Sequence, residues 1–479
     1  MESIGVAVPV APAAVWAIVL SVVAATAVGA AVDAWLMRHR AAQQSFDHGS
    51  PRCWVIGMLL SSYAVLLPGL FAHLFESKTD MFGMETLSEY DETMVSLVRR
   101  LVSDDMVLGA ILVTIYAMVI PVLKLIMLAV GEYLRRGGPK RVAWARRCIL
   151  VVQGVSKWAS PDMFAYILLM YLIRGLNKPP SINSFMNLEL GFTCFCVFCV
   201  GSTVSSLGIR VPPALEAEGA PADASPRRAI PRWLAAVLLV ALAAGFLGLL
   251  VVGLRRPSMS LHLDMDLLYE VRPDLRAMRS LLDPMDLPAM LRMEVGVWAC
   301  LGKLCQWVAE GEVNCLIALV LYAGFAVLLP ILDMALLLAA VLLGQGRADR
   351  AAALLSASRK VRKLAMLDVS IMGCFVVTMS LRSMRSNGVI VELCGGVGFL
   401  LGAEVCHYAA AFVARRAIMV GRGAGAAGGK AFEKPQPSEC SLESTTTADT
   451  LESVESQDVE QGTAREGVPK GADGNAFGV

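Results

Sequence analysis

Charged residues are scarce in this chain of 479 residues. They make up 17% of the sequence, against 56% hydrophobic residues, and the mean hydropathy is +0.61. This apolar excess is too large for one soluble core and is typical of a protein that has lipid as its solvent. The composition therefore excludes an ordinary soluble domain and indicates a polytopic membrane protein. The net charge of +1 indicates no partner, because basic and acidic residues are segregated into different loops.

The sequence also lacks the patterns of common enzymes and metalloproteins. We find no nucleophile paired with a base, no nucleotide-binding loop and no cluster of metal ligands, so we expect no enzyme, no cofactor and no nucleic-acid partner. The twelve cysteines lie in or beside apolar runs and form neither a zinc ribbon nor a disulfide framework. For Cys300 and Cys305, in a long loop, a disulfide is the less favoured alternative to free thiols.

Nine apolar runs approach the ~20 residues that a helix needs to cross ~30 Å of hydrocarbon. Because the runs are continuous and do not alternate, they predict helices and exclude a closed barrel. The predicted fold class is an all-α polytopic membrane protein with about nine transmembrane helices. The predicted spans are residues 13–32, 53–75, 106–134, 158–173, 190–207, 233–254, 313–343, 364–381 and 389–413.

The loops predict the orientation of these helices. Residues 135–147 and 344–363 are strongly basic, so they should lie in the cytosol. Residues 76–105 and 255–312 are acidic or mixed in charge and should face the other side. This places the N-terminus outside and the C-terminus in the cytosol, in a membrane that the sequence does not identify. A cleaved signal peptide is the less favoured reading of the first run, whose start holds Glu2 and no basic residue.

One pattern occurs twice in the chain. A proline inside an apolar run is followed by a basic connector and then by a lysine five residues before an aspartate. We interpret this as a duplicated four-helix unit. Since each unit has an even number of spans, the copies should lie parallel, with a pseudo-twofold axis along the membrane normal. The corresponding residues are Pro121, Lys157 and Asp162 in the first copy and Pro330, Lys363 and Asp368 in the second.

The predicted organisation has five parts. An N-terminal transmembrane helix, or signal anchor, precedes the first four-helix unit. A cytosolic linker rich in Pro, Ala and Glu joins it to the second unit. The acidic cytosolic tail is predicted to be disordered, because it is too polar to bury a core. The boundaries are 1–46, 47–210, 211–229, 230–418 and 419–479.

Charged residues inside the apolar runs are the candidate functional residues, since a charge at mid-bilayer costs ~2.5 kcal/mol or more. Lys124 lies three residues after its proline, and Asp333 has the same offset in the second copy. This exchange favours a charge pair, with Lys124 close to an acidic group, either Asp162 or a residue of the second unit. Two alternatives stay open: a functional network, or pairing that only holds helices together. The predicted network consists of Lys124, Asp162, Asp333 and Asp368.

Local patterns around these residues give further expectations. Ser160 could cap the helix that begins at Pro161, and a cap alone would explain Asp162. Asp368 has no local cap, so its partner should lie across the interface. The expected cytosolic boundary residues are Lys157, Trp158 and Lys363.

Four acidic or basic residues are secondary candidates. A glutamate lies near the start of the last helix in each unit. The i,i+3 pair on the final helix favours a partnered polar face over a metal site. These residues are Glu189, Glu392, Glu404 and His407.

Residues 116–124, Tyr-Ala-Met-Val-Ile-Pro-Val-Leu-Lys, and 157–164, Lys-Trp-Ala-Ser-Pro-Asp-Met-Phe, resemble a known family. They are similar to the paraquat-inducible protein A family (PqiA/LetA type), in which a P-x-x-K helix precedes a W-x-M-x-D/E-V-F-like segment. Residues 329–333 and 363–369 match more loosely. In order and architecture, the resemblance covers roughly residues 50–415.

This resemblance implies an inner-membrane protein that works with MCE-type proteins in bacterial lipid trafficking. The chain departs from the family in lacking the usual zinc ribbons and in having an extra helix and an acidic tail, which favours a different partner set. The expected function is a lipid-trafficking or transport component with membrane lipids, and an MCE-like or other membrane protein, as partners. The alternative is a non-transporting scaffold or receptor-like protein whose buried charges are structural.

Overall fold

The computed structural model describes residues 11–40, 52–81, 88–103, 106–135, 137–179, 182–212, 231–271, 292–342, 348–381 and 389–429. Within these residues, eight helical segments are long and apolar enough to cross a membrane, and one of them, Asp349–Ser380, is divided into two helices at Ala365 and Met366. The chain is therefore a multi-pass integral membrane protein. The candidate spans are Pro12–His39, Cys53–Phe71, Val107–Leu134, Leu190–Gly208, Trp233–Arg255, Val313–Leu342, Asp349–Ser380 and Gly395–Ala417.

In the first half, the described residues form seven helices and one three-stranded antiparallel sheet of order β2-β1-β3. A π-helical segment, Ile115–Val119, interrupts the fourth helix just before Pro121, and a 3-10 turn, Ser156–Ala159, precedes the sixth. The elements are α1 (Pro12–Arg40), α2 (Cys53–Phe71), β1 (His73–Met81), β2 (Ser88–Thr93), α3 (Met94–Ser103), α4 (Val107–Leu134), α5 (Pro139–Val155), α6 (Pro161–Gly175), β3 (Ile182–Leu188) and α7 (Leu190–Gly208).

The second half also contains a three-stranded antiparallel sheet, of order β5-β4-β6. Its proline-containing helix is interrupted by a π-helical segment at Val320–Leu328, just before Pro330. The elements are α8 (Arg232–Arg255), β4 (Pro257–Leu263), α9 (Met265–Val271), β5 (Met293–Gly296), α10 (Val297–Ala309), α11 (Val313–Leu342), α12 (Ala348–Leu364), α13 (Leu367–Ser380), β6 (Val389–Leu393) and α14 (Gly395–Gly429).

Helix α1 is attached to the first half by a side chain that caps its neighbour. Asp33 of α1 accepts hydrogen bonds from the backbone N–H groups of Cys53 (2.8 Å) and Trp54 (3.1 Å), at the start of α2. Gly29 allows this approach, because a Cβ there would lie 2.6 Å from the Cα of Trp54. An aspartate at a helix N-terminus satisfies free N–H groups and complements the helix dipole.

Two features differ from the sequence prediction. The predicted span 158–173 corresponds to α6, whose 15 residues cover about 22 Å at 1.5 Å per residue. This is shorter than the ~30 Å of hydrocarbon, and most of its side chains are buried in protein. Helix α6 still returns the chain from the connector that follows α4 to β3, which pairs with β1 at the end of α2. The six strands also depart from an all-α fold: β1 and β6 occupy ends of runs predicted as helix, since a short apolar run does not distinguish helix from strand.

The two halves meet along α6 and α13. Gly373 of α13 lies against α6, where an added Cβ would be 2.8 Å from the Cβ of Phe164 and 3.2 Å from the carbonyl oxygen of Pro161. A glycine at this point lets the two backbones approach closely. Most side chains of α6 and α13 are buried, so these short helices form the core of the contact between the halves.

Candidate polar network in the membrane

An ion pair joins the two halves at the start of α6 and α13. The Nζ of Lys157 lies 2.5 Å from Oδ2 of Asp368, 211 residues away in the chain. The hydroxyl of Tyr408 donates to the same oxygen at 3.1 Å. The two charged side chains are only 10% and 13% exposed. The carboxylate of Asp368 therefore offsets the cost of burying the charge of Lys157.

A second contact between the halves joins α12 to α5. The Nζ of Lys363 donates to Oε1 of Gln153 at 2.6 Å. The amide of Gln153 in turn donates to the carbonyl oxygens of Ser206 (3.1 Å) and Ile209 (3.0 Å) at the end of α7. Trp158, the third residue expected at the boundary, lies partly buried in the 3-10 turn.

Lys124 is buried among oxygen atoms that carry no formal charge. Its Nζ donates to Oγ of Ser156 (2.5 Å) and to the carbonyl and hydroxyl oxygens of Ser202 (2.7 and 3.1 Å). The prediction that Lys124 lies beside an acidic group is wrong, since no ion pair to Lys124 occurs among the described residues. Three oxygens match the three donors of an ammonium group and remove the need for a carboxylate.

Asp333 is fully buried in the second half and bonds two other helices. Ser358 of α12 donates to Oδ1 of Asp333. Nε2 of His407, on α14, lies 2.8 Å from Oδ2, and Nδ1 of His407 is 3.4 Å from Oε2 of Glu404. The pair Glu404 and His407 thus faces a protein interior. The part of the chain that the structure describes contains no group of three residues able to hold a metal.

Asp162 has a different environment from the other charged residues. It is 1% exposed, and neither carboxyl oxygen has a hydrogen-bond partner among the described residues. Ser160 stands at the cap position, but its hydroxyl donates backwards to the carbonyl oxygen of Lys157 at 2.6 Å. The prediction of a Ser160 side-chain cap is therefore wrong. Pro161 does begin α6, and Asp162 faces a cavity between the halves.

Sequence reasoning missed a further contact between the halves, at the other end of α6. Nη1 of Arg174 lies 2.8 Å from Oε1 of Glu312, at the turn into α11. Nη2 donates to Oδ1 of Asn187 (2.7 Å), and the guanidinium lies 4.6 Å from the ring centroid of Trp307. Gly311, with φ of 97°, makes the preceding turn. An arginine ending an apolar run was the available signal, but its partner is remote in sequence.

Two secondary candidates lie outside the network. Glu189 is half-buried near the sheet β2-β1-β3. Burial raises the pKa of its carboxyl, the charges of Glu76 and Asp91 raise it further, and His73 acts in the opposite direction. Glu392 is exposed on β6.

The two cysteines of the candidate disulfide are free thiols. Cys300 and Cys305 both lie on α10, the first buried and the second exposed. Residues five positions apart on a helix are rotated by about 140° about its axis, so the two thiols point in different directions. The disulfide alternative for this pair is wrong.

Residues 53–209 match the family model of paraquat-inducible protein A. The resemblance read from the sequence is confirmed over this range. It extends from α2 to α7 and includes Lys124, Lys157 and Asp162. No curated protein and no solved structure gives a match.

Proposed function

We propose that this protein is a lipid-trafficking or transport component of a membrane, similar to PqiA/LetA-type proteins, and that it is built from two duplicated units lying parallel. The family match supports the first half of this proposal. The order of elements supports the second. In each half, an apolar helix leads into the central strand of a sheet, and a π-interrupted helix with a proline precedes a basic helix. A short buried helix, a strand and a last long helix follow.

The residues that bear charge correspond between the proposed units. Lys124 and Asp333 each lie three residues after the proline of their helix. Their partners Ser202 and His407 each lie twelve residues after the first residue of the last helix, Leu190 or Gly395. The two units thus place opposite charges at one position of a shared scaffold. This is the pattern expected if a duplicated network has become specialised, with the charge of each copy satisfied within its own unit.

The observation that carries the proposal is the ion pair of Lys157 with Asp368. The pair is largely buried and joins the two units, so a shift of α6 relative to α13 must break it. Protonation of Asp368 removes its charge and leaves Lys157 without a counter-ion. We propose that this step releases the pair, shifts the units and opens an apolar path for lipid.

Orientation and partners complete the proposal. The basic connectors lie in the cytosol, with the N-terminus on the other side and the C-terminus in the cytosol. Membrane lipids are the cargo, and an MCE-like or other membrane protein receives or supplies them. The role is not enzymatic.

The alternative is a scaffold in which the same charges only hold helices together. The close packing of Gly373 against α6 favours it, because a tightly closed interface suits a static assembly. The transport and scaffold functions predict different effects of removing the charge of Asp368.

The test is lipid movement by purified protein in vesicles, at several pH values, for the parent and Asp368→Asn. Asparagine keeps the shape and can still bond Tyr408, so we expect folded protein that no longer moves lipid in a proton-dependent way. Lys157→Asp combined with Asp368→Lys should restore the fold's stability, since it rebuilds the pair in reverse. Glu392→Gln, at an exposed carboxylate, is the matched control. A folded Asp368→Asn protein that moves lipid like the parent would support the scaffold.

A further inference from the structure

His407 lies between two carboxylates in the interior of the second half. Its Nε2 is 2.8 Å from Oδ2 of Asp333, and its Nδ1 is 3.4 Å from Oε2 of Glu404. The side chains of His407 and Asp333 are 0% exposed, and that of Glu404 is 8% exposed. Ser358 donates to the other oxygen of Asp333, so it supplies no hydrogen to the imidazole. Three ionisable groups therefore share two contacts, each between a ring nitrogen and a carboxylate oxygen.

The atoms that face each other determine how many protons this group can hold. A ring nitrogen and a carboxylate oxygen both carry lone pairs, so each contact becomes a hydrogen bond only when one proton lies in it. A neutral imidazole has one N–H and can serve only one contact. Nε2 of His407 is bonded to Asp333, whereas Nδ1 of His407 and Oε2 of Glu404 have no hydrogen-bond partner among the described residues. The contact between His407 and Glu404 can therefore accept one further proton.

The charge of the surrounding side chains favours this proton. Arg362 of α12 is 8% exposed and interacts with Asp333, and its Nη2 has no hydrogen-bond partner among the described residues. With Arg362 and both carboxylates ionised, the buried group has a net charge of −1 when His407 is neutral and of zero when it is protonated. Because a buried net charge is costly, one added proton makes the group more favourable.

The other elements packed around the imidazole do not change this count. Helix α8 contributes the ring of Phe246, whose centroid is 5.6 Å from that of His407. Arg359 of α12 and Arg415 of α14 are exposed and interact with Arg362, whereas the ionisable groups that act on His407 are the two carboxylates. Since salt screens exposed charges, the buried side chains dominate the charge of the group.

Tyr408 connects this group to the ion pair between the halves. It follows His407 on α14, and it interacts with the charge of Glu404. Its hydroxyl oxygen accepts a hydrogen bond from Nζ of Lys157 at 3.2 Å, and its O–H donates to Oδ2 of Asp368 at 3.1 Å. A change of charge at Glu404 therefore acts on the residue that contacts both members of the ion pair.

We propose that Glu404 and His407 form a proton-binding site, which takes up one proton between Nδ1 and Oε2. Uptake forms one N–H or O–H bond with a proton from hydronium, which leaves as water. Glu404 is the entry point, because its side chain has exposed surface and that of Asp333 has none. This inference rests on the proposed function and deepens it: it names the group that holds the proton while Asp368 is ionised. Loss of this proton restores a negative charge near Tyr408, and that charge favours protonation of Asp368.

Nitrogen NMR of the histidines tests the site with the proton itself as the probe. The full-length protein is labelled with 15N-histidine, placed in bilayers and measured over a series of pH values, and His407→Gln identifies the signals of His407. We expect both ring nitrogens of His407 to carry protons at pH 7 and one of them to lose its proton as pH rises. Signals of His407 that stay constant from about pH 5 to pH 10 would overturn the proposal.

Two substitutions should move this titration in opposite directions. Glu404→Gln keeps the shape and removes a negative charge, so His407 should lose its second proton at a pH lower by at least about one unit. Arg362→Gln removes a positive charge, so the second proton should persist to higher pH. Glu392→Gln, at an exposed carboxylate, is the matched control. No shift, or shifts of the same sign in the first two variants, would show that these side chains only hold helices together.

The NMR titration needs no lipid movement, so its result is independent of the Asp368→Asn test. Lipid movement by Glu404→Gln in vesicles then tests the link between the two sites, and its pH profile should shift in the same direction as the titration of His407. A shifted titration with the parent's pH profile would reject this inference and leave the proposed function standing. An intact titration in a parent protein that moves no lipid would reject the proposed function and leave the proton site.

Discussion

Nε2 of His407 lies 2.8 Å from Oδ2 of Asp333, at the same depth along its helix at which Ser202 bonds Lys124 in the other half. The pair of Asp333 and His407 in the second half thus corresponds to the pair of Lys124 and Ser202 in the first. Lys124 and Asp333 are each satisfied within their own half, while Lys157 and Asp368 connect the halves. The network therefore has two internal parts and one shared link, and each part can be tested separately.

Substitutions of Asp333 and His407 should be strongly coupled. Each side chain is fully buried, so removing one leaves a polar partner unsatisfied. We expect Asp333→Asn and His407→Gln each to lower the free energy of unfolding by about 2 kcal/mol or more. The double variant should lose less than the sum, with a coupling of roughly 1–3 kcal/mol. Denaturant unfolding in detergent measures the cycle, and additive losses would contradict the contact.

Arg174 should depend on its guanidinium and not only on its charge. It makes separate contacts with Glu312, Asn187 and the ring of Trp307, which one ammonium group cannot reproduce. Arg174→Lys should therefore cost roughly 1–3 kcal/mol of stability. The midpoint of thermal unfolding gives the measurement. Arg99→Lys, at an exposed arginine of α3, is the control and should change little; equal midpoints for both variants would exclude a fixed contact.

Glu189 should make stability depend on pH. Burial, Glu76 and Asp91 raise the pKa of its carboxyl above the ordinary value of 4.5. A carboxyl whose pKa is higher in the folded state destabilises the fold once it ionises, so this contribution to stability falls as pH rises from 4.5 through the folded pKa. Glu189→Gln should match the parent near pH 4 and unfold at a higher temperature at pH 7. A constant difference across this range would show that ionisation is not the cause.

The proposed orientation can be tested by cysteine labelling from either side of sealed membranes. Gly138 is exposed before α5, and Gly302 on α10 also has open space around it. Gly138→Cys should react only from the cytosolic side, and Gly302→Cys, in a background with Cys305→Ser, only from the other. The basic charge of the connector at 135–147 is the reason for this assignment. Labelling of both from one side would overturn the topology.

The sequence by itself determined that this is a membrane protein, where most of its candidate spans lie, and that residues 53–209 resemble the paraquat-inducible protein A family. These conclusions depend on composition and short-range pattern, which a linear chain displays directly. Pro121, Pro330 and the charges spaced after them could be recognised in the same way. The buried state of α6 could not, because a helix of 15 residues is equally apolar whether lipid or protein surrounds it.

Only the tertiary structure decided the partners of the buried charges. Lys124 was expected beside a carboxylate, yet serines from the turn before α6 and from α7 satisfy it. Lys157 pairs with Asp368, a residue 211 positions away, which no local pattern could indicate. Sequence spacing shows that a charge in lipid needs a partner, but which atom supplies it depends on how remote helices pack. Asp162 faces an apolar cavity for the same reason: helix packing brings it there, and no described residue forms a hydrogen bond with its carboxyl.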